Sequence, residues 1–357
     1  MQVEALHAEA WEELDARYSR LPHAILFAGQ PGSGASEFVL AFAAALLCED
    51  QPTGQKTARQ ERLQKACGQC QACSWLGEGN HPDFRLLQPD SMAPTSEISA
   101  EKEGGDSRKK ASNQIKIEQI RFLEELMSVG THRGGLRVIL LQPAEAMNNN
   151  AANALLKMLE EPPDKTIFLL LSYQPARLLP TIISRCQRLA LPLPPTERAQ
   201  RYLEAAGVDN MDRWLALAGG VPLLAQELAQ QGQSSWIWQL FGHLADGPSA
   251  DAFATALAID SASRKHKQSA SYTLQQTVLW LQKWLFDLTL RKSDLPVCYF
   301  VHEQSKLQEL ARQTSLVSLT RFYRRLVQAK GEIEQPLNTR LFLEDLLLAY
   351  QAMFRRN

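Results

Sequence analysis

The sequence predicts an α/β domain built on a parallel sheet, followed by an all-helical second half. Three observations carry this. Apolar strand-like runs alternate with helical periodicity over about the first 190 residues. The first run opens into a glycine-rich loop and then a helix, the layout of a phosphate-binding loop. From Thr196 onward the pattern is helical, broken at Gly219-Gly220 and at a Gln/Ser-rich hinge from Gln230 to Ser235.

In chain order, Ala24 to Ala28 is a short apolar strand and Ser36 to Cys48 an Ala-rich helix. Asp83 to Leu87 forms a second strand. Ile115 to Ser128 has helical spacing, with Ile117, Ile120, Leu123, Leu126 and Met127 on one face. Arg137 to Leu141 is a third strand, and Asn148 to Glu160 a helix stopped by Pro162-Pro163. Ile167 to Leu171 is a fourth strand, continuously apolar as in sheets buried on both faces. Two polar stretches, 49–66 and 88–113, lack apolar residues to bury and are expected to be insertions, the second of them mobile. The Leu191-Pro192-Leu193-Pro194-Pro195 run ends the sheet domain. The expected division is 1–190 for the sheet domain, 191–232 for a small helical lid and 233–357 for a final helical domain.

The phosphate-binding loop has lost its lysine. Gly29 and Gly34 keep the spacing of G-x-x-x-x-G-K-[ST], but the lysine position is Ala35, while Ser36 keeps the hydroxyl that would face Mg²⁺. A frame without its charge indicates a nucleotide-binding fold put to another use. Taken alone, the segment could also be an ordinary Gly-rich turn.

Four of the six cysteines crowd into one stretch: Cys48, Cys67, Cys70 and Cys73. Such grouping points to metal rather than to disulfides. Four thiolates close a tetrahedral Zn²⁺ site, which would be structural because no position is left open. The ferredoxin spacing of an iron–sulfur cluster requires a further cysteine followed by proline, and Ser74-Trp75-Leu76-Gly77 supplies neither. His81, before Pro82, is expected to be structural, and Cys186 and Cys298 to be ordinary buried thiols. Arg264-Lys265-His266-Lys267 is expected to be a solvated loop, and Trp214, Trp236, Trp238, Trp280 and Trp284 to be core and interface anchors.

Further stretches complete a set. Asn153-Ala154-Leu155-Leu156-Lys157-Met158-Leu159-Glu160-Glu161-Pro162-Pro163, then Thr181-Ile182-Ile183-Ser184-Arg185-Cys186, resemble the NALLKxLEEPP and Ser-Arg-Cys motifs of bacterial clamp-loader subunits with the AAA+ ATPase fold. The cysteine cluster and His81-Pro82-Asp83 also occur in that family. The resemblance covers about the first 190 residues; the helical remainder follows only from the family's three-domain layout, in which the last domain is an oligomerisation collar. It implies that Arg185 is an arginine finger acting in trans on a neighbour's ATP. It also puts the acidic metal-binding pair at Gln142-Pro143 and a sensor arginine at Leu223, all uncharged here. Glu145 lies beyond the strand end. The resemblance therefore implies a subunit that does not hydrolyse ATP and binds none in its own site, an accessory part of a DNA polymerase assembly. Implied partners are the loader's ATPase subunits and its delta subunit, with the sliding clamp and primer-template DNA reached through the complex.

Bulk properties limit the rivals. With 38 basic and 39 acidic residues, no overall field draws the chain onto DNA or a membrane. No apolar run reaches the roughly 20 residues that span a bilayer, and Met1 to Tyr18 lacks the features of a signal peptide, so a cytoplasmic location is expected. Two other readings remain: a self-sufficient ATPase using Glu145 for Mg²⁺, and a zinc-dependent DNA-binding module with a basic face near Lys65.

Overall fold

The computed structural model describes residues 3–50, 63–92, 112–127, 130–231, 236–265, 270–333, 335 and 337–354. Most of the two expected insertions, residues 232–235 of the expected hinge, and His266 and Lys267 lie outside these. The chain divides into two compact units, Met1–Arg198 and Ala199–Asn357.

The first unit is a parallel sheet of five strands, β1 (Ala24–Ala28), β2 (Phe84–Leu87), β3 (Arg137–Leu141), β4 (Thr166–Ser172) and β5 (Gln187–Ala190), in the order β2-β3-β4-β1-β5. Around it, in chain order, lie helices α1 (Ala8–Ala16), α2 (Ala35–Leu47), α3 (Gln71–Gly77), α4 (Ile117–Met127), α5 (Asn149–Glu160) and α6 (Pro180–Ile183). Both sheet faces are covered, which is why the central strands read as unbroken apolar runs. Ile25, Phe27, Val138, Leu140, Leu169 and Leu171 point to one side, onto Phe38, Val39 and Phe42 of α2 and Leu14 of α1. Leu26, Ile139, Leu141, Phe168 and Leu170 point to the other, onto Ile120 and Leu123 of α4 and Leu155 and Leu159 of α5.

Strand β5 was not expected from the sequence. It pairs with β1 at the sheet edge, and only Leu189 of its four residues is buried. An edge strand half open to solvent carries too few apolar residues to stand out. The amino-terminal helix was also unforeseen, although Leu6, Ala10 and Leu14, all buried, follow helical spacing.

The second unit is helical: α7 (Thr196–Ala205, which starts before the division), α8 (Met211–Leu217), α9 (Pro222–Gln231), α10 (Ile237–Asp246), α11 (Ala252–Lys265), α12 (Ala270–Lys292), α13 (Gln304–Gln313), α14 (Leu316–Glu332) and α15 (Thr339–Ala352). It holds the helices expected for the lid and for the collar. Helix α12 is its axis. Leu274, Val278, Leu281, Leu285 and Leu288 form a buried stripe at i, i+4, i+7, i+11 and i+14. Buried Trp284 donates its Nε1–H to the Tyr350 hydroxyl at 3.0 Å, which in turn donates to the Leu244 carbonyl at 2.7 Å. Trp236 and Trp280 are buried as well.

Two expectations need correcting. Arg264 and Lys265 end α11 rather than lying in a loop, and Arg264 reaches back one turn to Asp260 at 2.8 Å. Cations suit the last turn of a helix, where the carbonyl dipoles point out. Cys298 is exposed, because its loop is held to α12 by its backbone rather than by its side chain: the Cys298 N–H donates to Asp287 at 2.9 Å.

Candidate functional site

Strand β1 delivers the glycine-rich loop to the carboxyl end of the sheet, where open parallel sheets bind ligands. Gly29 N–H donates to the Ser172 carbonyl at 3.1 Å, and Leu191 N–H to the Ala28 carbonyl at 2.7 Å, so both neighbouring strands hold the loop's entry. A Cβ on Gly29 would come within 2.6 Å of the Ala35 Cβ. Gly32 and Gly34 have φ of 75° and 89°, the left-handed region that glycine enters freely. The frame is thus intact. His7 fastens it from outside: its Nε2 lies 3.0 Å from the Ser33 carbonyl, and its ring packs edge-on against Phe38. Burial holds the His7 pKa below the usual imidazole range, which favours a neutral ring with Nε2–H as donor.

Charge is what the loop lacks. At the lysine position Ala35 offers a buried methyl group. The Ser36 hydroxyl donates to Oε1 of Gln142 at 3.2 Å. Gln142 follows β3 and is held there by its N–H to the Leu87 carbonyl at 2.9 Å. An amide therefore stands beside the hydroxyl where a metal-binding carboxylate would be needed. Glu145 sits one short turn further on; its Oε1 accepts from the Tyr173 N–H at 3.1 Å, while its Oε2 is buried with no partner among the described residues. The partnership of Ser36 with Gln142 and that of His7 with Ser33 had no signal in the sequence.

Arg185 lies between α6 and β5. Its Nη2 is 2.6 Å from Glu160 Oε1, at the end of α5, and its Nη1 donates to the Thr181 carbonyl at 3.0 Å. Leu223 is the second residue of α9, in the other unit.

The four cysteines converge although 25 residues separate first from last in sequence. Their sulfurs all lie within 4.8 Å of one another, with Cys48–Cys70 and Cys67–Cys73 both 3.9 Å apart. A tetrahedron with Zn–S of about 2.3 Å has edges of about 3.8 Å. The geometry and the all-sulfur donor set therefore fit Zn²⁺. Backbone N–H groups already turn toward the sulfurs: Cys67 N to Cys48 Sγ at 3.4 Å, Cys70 N to Cys67 Sγ at 3.2 Å and Cys73 N to Cys70 Sγ at 3.5 Å. Burial opposes ionisation of Cys70, but the backbone N–H groups of Cys73 and Glu49 and the neighbouring thiols bring it down to about 7, while burial first and then Cys70 push Cys73 up to about 12. Thiols whose ionisations oppose each other like this gain from a divalent cation. Arg133 ties the cysteine module to the sheet, stacking over Trp75 at 5.0 Å and pairing with Glu49. Buried Asp83 fixes Arg133 in turn by accepting the N–H groups of His132 and Arg133, at 2.8 and 3.2 Å. His81 is buried and accepts the Asp83 N–H, a structural role outside the sulfur cluster.

Fold and loop together define a P-loop NTPase-like protein of the AAA+ class. A family model described as "DNA polymerase III, delta subunit" matches residues 7–195, and one for the C-terminal part of that subunit matches 252–352. The chain is 39% identical to DNA polymerase III subunit delta' of Pseudomonas aeruginosa over 226 residues, 62% of this chain and 60% of that protein. It is 29% identical to the Escherichia coli delta' subunit over 350 residues, 95% of this chain and 92% of that one. A gamma subunit-related protein of Thermotoga maritima superposes with a TM-score of 0.49 at 17% identity, covering 97% of this chain and all of that one. The chain belongs to the delta-prime family of DNA polymerase III clamp-loader subunits.

Proposed function

We propose that this chain is the non-hydrolysing stator of a clamp loader, helping ATPase subunits and a delta subunit to place a sliding clamp on primer-template DNA. The observation that carries this reading is the Ser36–Gln142 hydrogen bond: the group beside the hydroxyl that would face Mg²⁺ is a neutral amide instead of a carboxylate, next to a loop with no lysine. With Ala35, Gln142 and Leu223 all uncharged, lysine, metal and sensor contacts to a triphosphate are lost together. Catalysis then falls to neighbouring subunits, and Arg185 serves one of them as an arginine finger in trans. Residues 1–190 act as the ATPase-like module, 191–232 as its lid and 233–357 as the collar. Exposed Tyr272, Leu279 and Phe286, seven residues apart on α12, support lateral helix packing of that collar. Cys48, Cys67, Cys70 and Cys73 hold one structural Zn²⁺. When bound, it supplies cross-linking of the 48–73 segment and no chemistry on substrate.

The test is reconstitution. Cognate ATPase and delta subunits are mixed with and without this chain, and DNA-stimulated ATP turnover and clamp loading are measured. Both should depend on the chain; full activity in its absence would overturn the proposal.

A further inference from the structure

We propose that Glu160 is the positioning residue for Arg185, holding the guanidinium ready for the neighbouring phosphates; this rests on the finger reading above. The two residues are 25 apart in sequence, one at the end of a helix and the other in the turn that follows the next one. Glu160 is the last residue of α5, and Arg185 follows α6 by two residues. A carboxylate at a helix C-terminus faces the negative end of the dipole and is unfavourable there unless a cation answers it. Arg185 Nη2 does so at 2.6 Å from Glu160 Oε1.

The rest of the guanidinium is anchored as well. Nη1 donates to the Thr181 carbonyl at 3.0 Å and lies 3.5 Å from the Ser184 hydroxyl, which itself donates to Thr181 O at 3.0 Å. The backbone is fixed by Arg185 N–H to the Ile182 carbonyl at 3.1 Å. The side chains of Arg185 and Glu160 are 34% and 51% exposed, so the pair sits at the surface where a second subunit can reach it. Glu160 occupies one nitrogen and the Thr181 carbonyl another, leaving further N–H donors of the five for an incoming phosphate.

Two effects of Glu160 oppose each other. Its charge weakens the field that Arg185 offers to a phosphoryl group, but an exposed ion pair contributes little. Its hold removes rotamer freedom from one of the side chains that loses most on ordering, and it does so before the reaction begins. Ordering wins, so loss of Glu160 slows hydrolysis in the neighbour.

Glu160→Ala, Glu160→Gln, Arg185→Ala and the double variant Glu160→Ala/Arg185→Ala are each assembled with the cognate ATPase and delta subunits. Assembly is verified by gel filtration, and ATPase kcat and KM are measured with primed DNA and clamp. Glu160→Ala should lower the turnover of the bordering site, resolved in single-turnover experiments, by about three- to tenfold. KM for ATP should stay unchanged, because the neighbour binds the nucleotide. Glu160→Gln, which keeps an oxygen acceptor, should recover part of the loss. The double variant should be no slower than Arg185→Ala, since a positioning residue has nothing to position once its partner is gone. Wild-type or faster turnover from Glu160→Ala beside a slow Arg185→Ala overturns the positioning role alone, as does full additivity in the double variant. Wild-type turnover from Arg185→Ala overturns the finger reading and the positioning role with it.

Discussion

At Ser36 the partner rather than the hydroxyl sets this loop apart from a working nucleotide site, since its proton goes to the neutral amide of Gln142 where a metal-binding carboxylate would stand. Arg185 is the converse, a charge kept at the surface beside a helix end. On the proposed finger reading, in which one of several ATP sites borders this subunit, Arg185→Ala should leave fold and assembly intact and depress DNA-stimulated ATP turnover of the reconstituted complex only in part. A finger is worth roughly 10³–10⁵ at its own site. Arg185→Lys should rescue poorly, as an ammonium lacks the planar donor fork; steady-state ATPase of complexes verified by gel filtration reads both. Asp287 has a different kind of weight. Fully buried, it accepts three backbone N–H groups, from Cys298, Tyr299 and Phe300, at 2.7–2.9 Å. Asp287→Ala would strand all three, and should cost the helical unit about 3 kcal/mol or more. Urea unfolding followed by tryptophan fluorescence tests this, and an unchanged midpoint would refute it. Nothing in the sequence marked Asp287. An acidic residue amid apolar helix positions reads as a surface residue until the loop that needs it is seen.

Elements were legible in proportion to how fully they are buried. Strands β1 and β3 match their sequence boundaries, and α5 begins one residue after its Asn148 cap, whose side chain accepts the Ala151 N–H at 2.8 Å. β5 escaped notice because an edge strand needs few apolar residues. Among its described residues the cysteine module is held by the sulfur cluster, the Cys70 cap of α3 and the Arg133–Trp75 stack. Purified protein should therefore carry about one zinc per molecule. Cys70→Ser should release it and raise protease sensitivity within 48–73, because metal binding and local folding are coupled. Elemental analysis showing no metal, or iron with a visible absorption band, would contradict this.

On the scale of the whole chain, the isolated protein should bind Mg·ATP weakly or not at all. Backbone N–H groups at the start of α2 attract an anion without a lysine, but they cannot neutralise a triphosphate. The one unpartnered oxygen of Glu145 does not replace a metal-binding pair. Calorimetry giving micromolar affinity would reverse this conclusion. Acid should also weaken the fold. Burial lowers the pKa of His7 and of His243 below the usual value of 6.5, so the unfolded chain takes up these protons first as pH falls. Stability is then fully present above pH 6.5 and is lost as pH drops through that value toward the lowered folded pKa values. Melting temperatures from pH 7.5 to 5 should decline accordingly. His7→Gln, which keeps a donor for the Ser33 carbonyl and cannot titrate there, should flatten the slope. No helix among the described residues is long and apolar enough to cross a membrane.

The order of sheet then helices, the lysine-less loop and the grouping of cysteines were all legible along the chain. Each is written in local spacing: short unbroken apolar runs, an apolar period of 3.6, glycines at fixed offsets and three of the four thiols at three-residue intervals. Tertiary structure alone decided which side chains meet across long separations. Ser36 meets Gln142 across 106 residues, Asp83 holds the backbone 49 residues on, and Arg198 grips Glu9 with two bonds of 2.5 and 2.6 Å across 189. Such partners share no period and no motif. They are brought together by strand order and helix packing, which depend on the summed burial of many apolar residues rather than on any pair of positions.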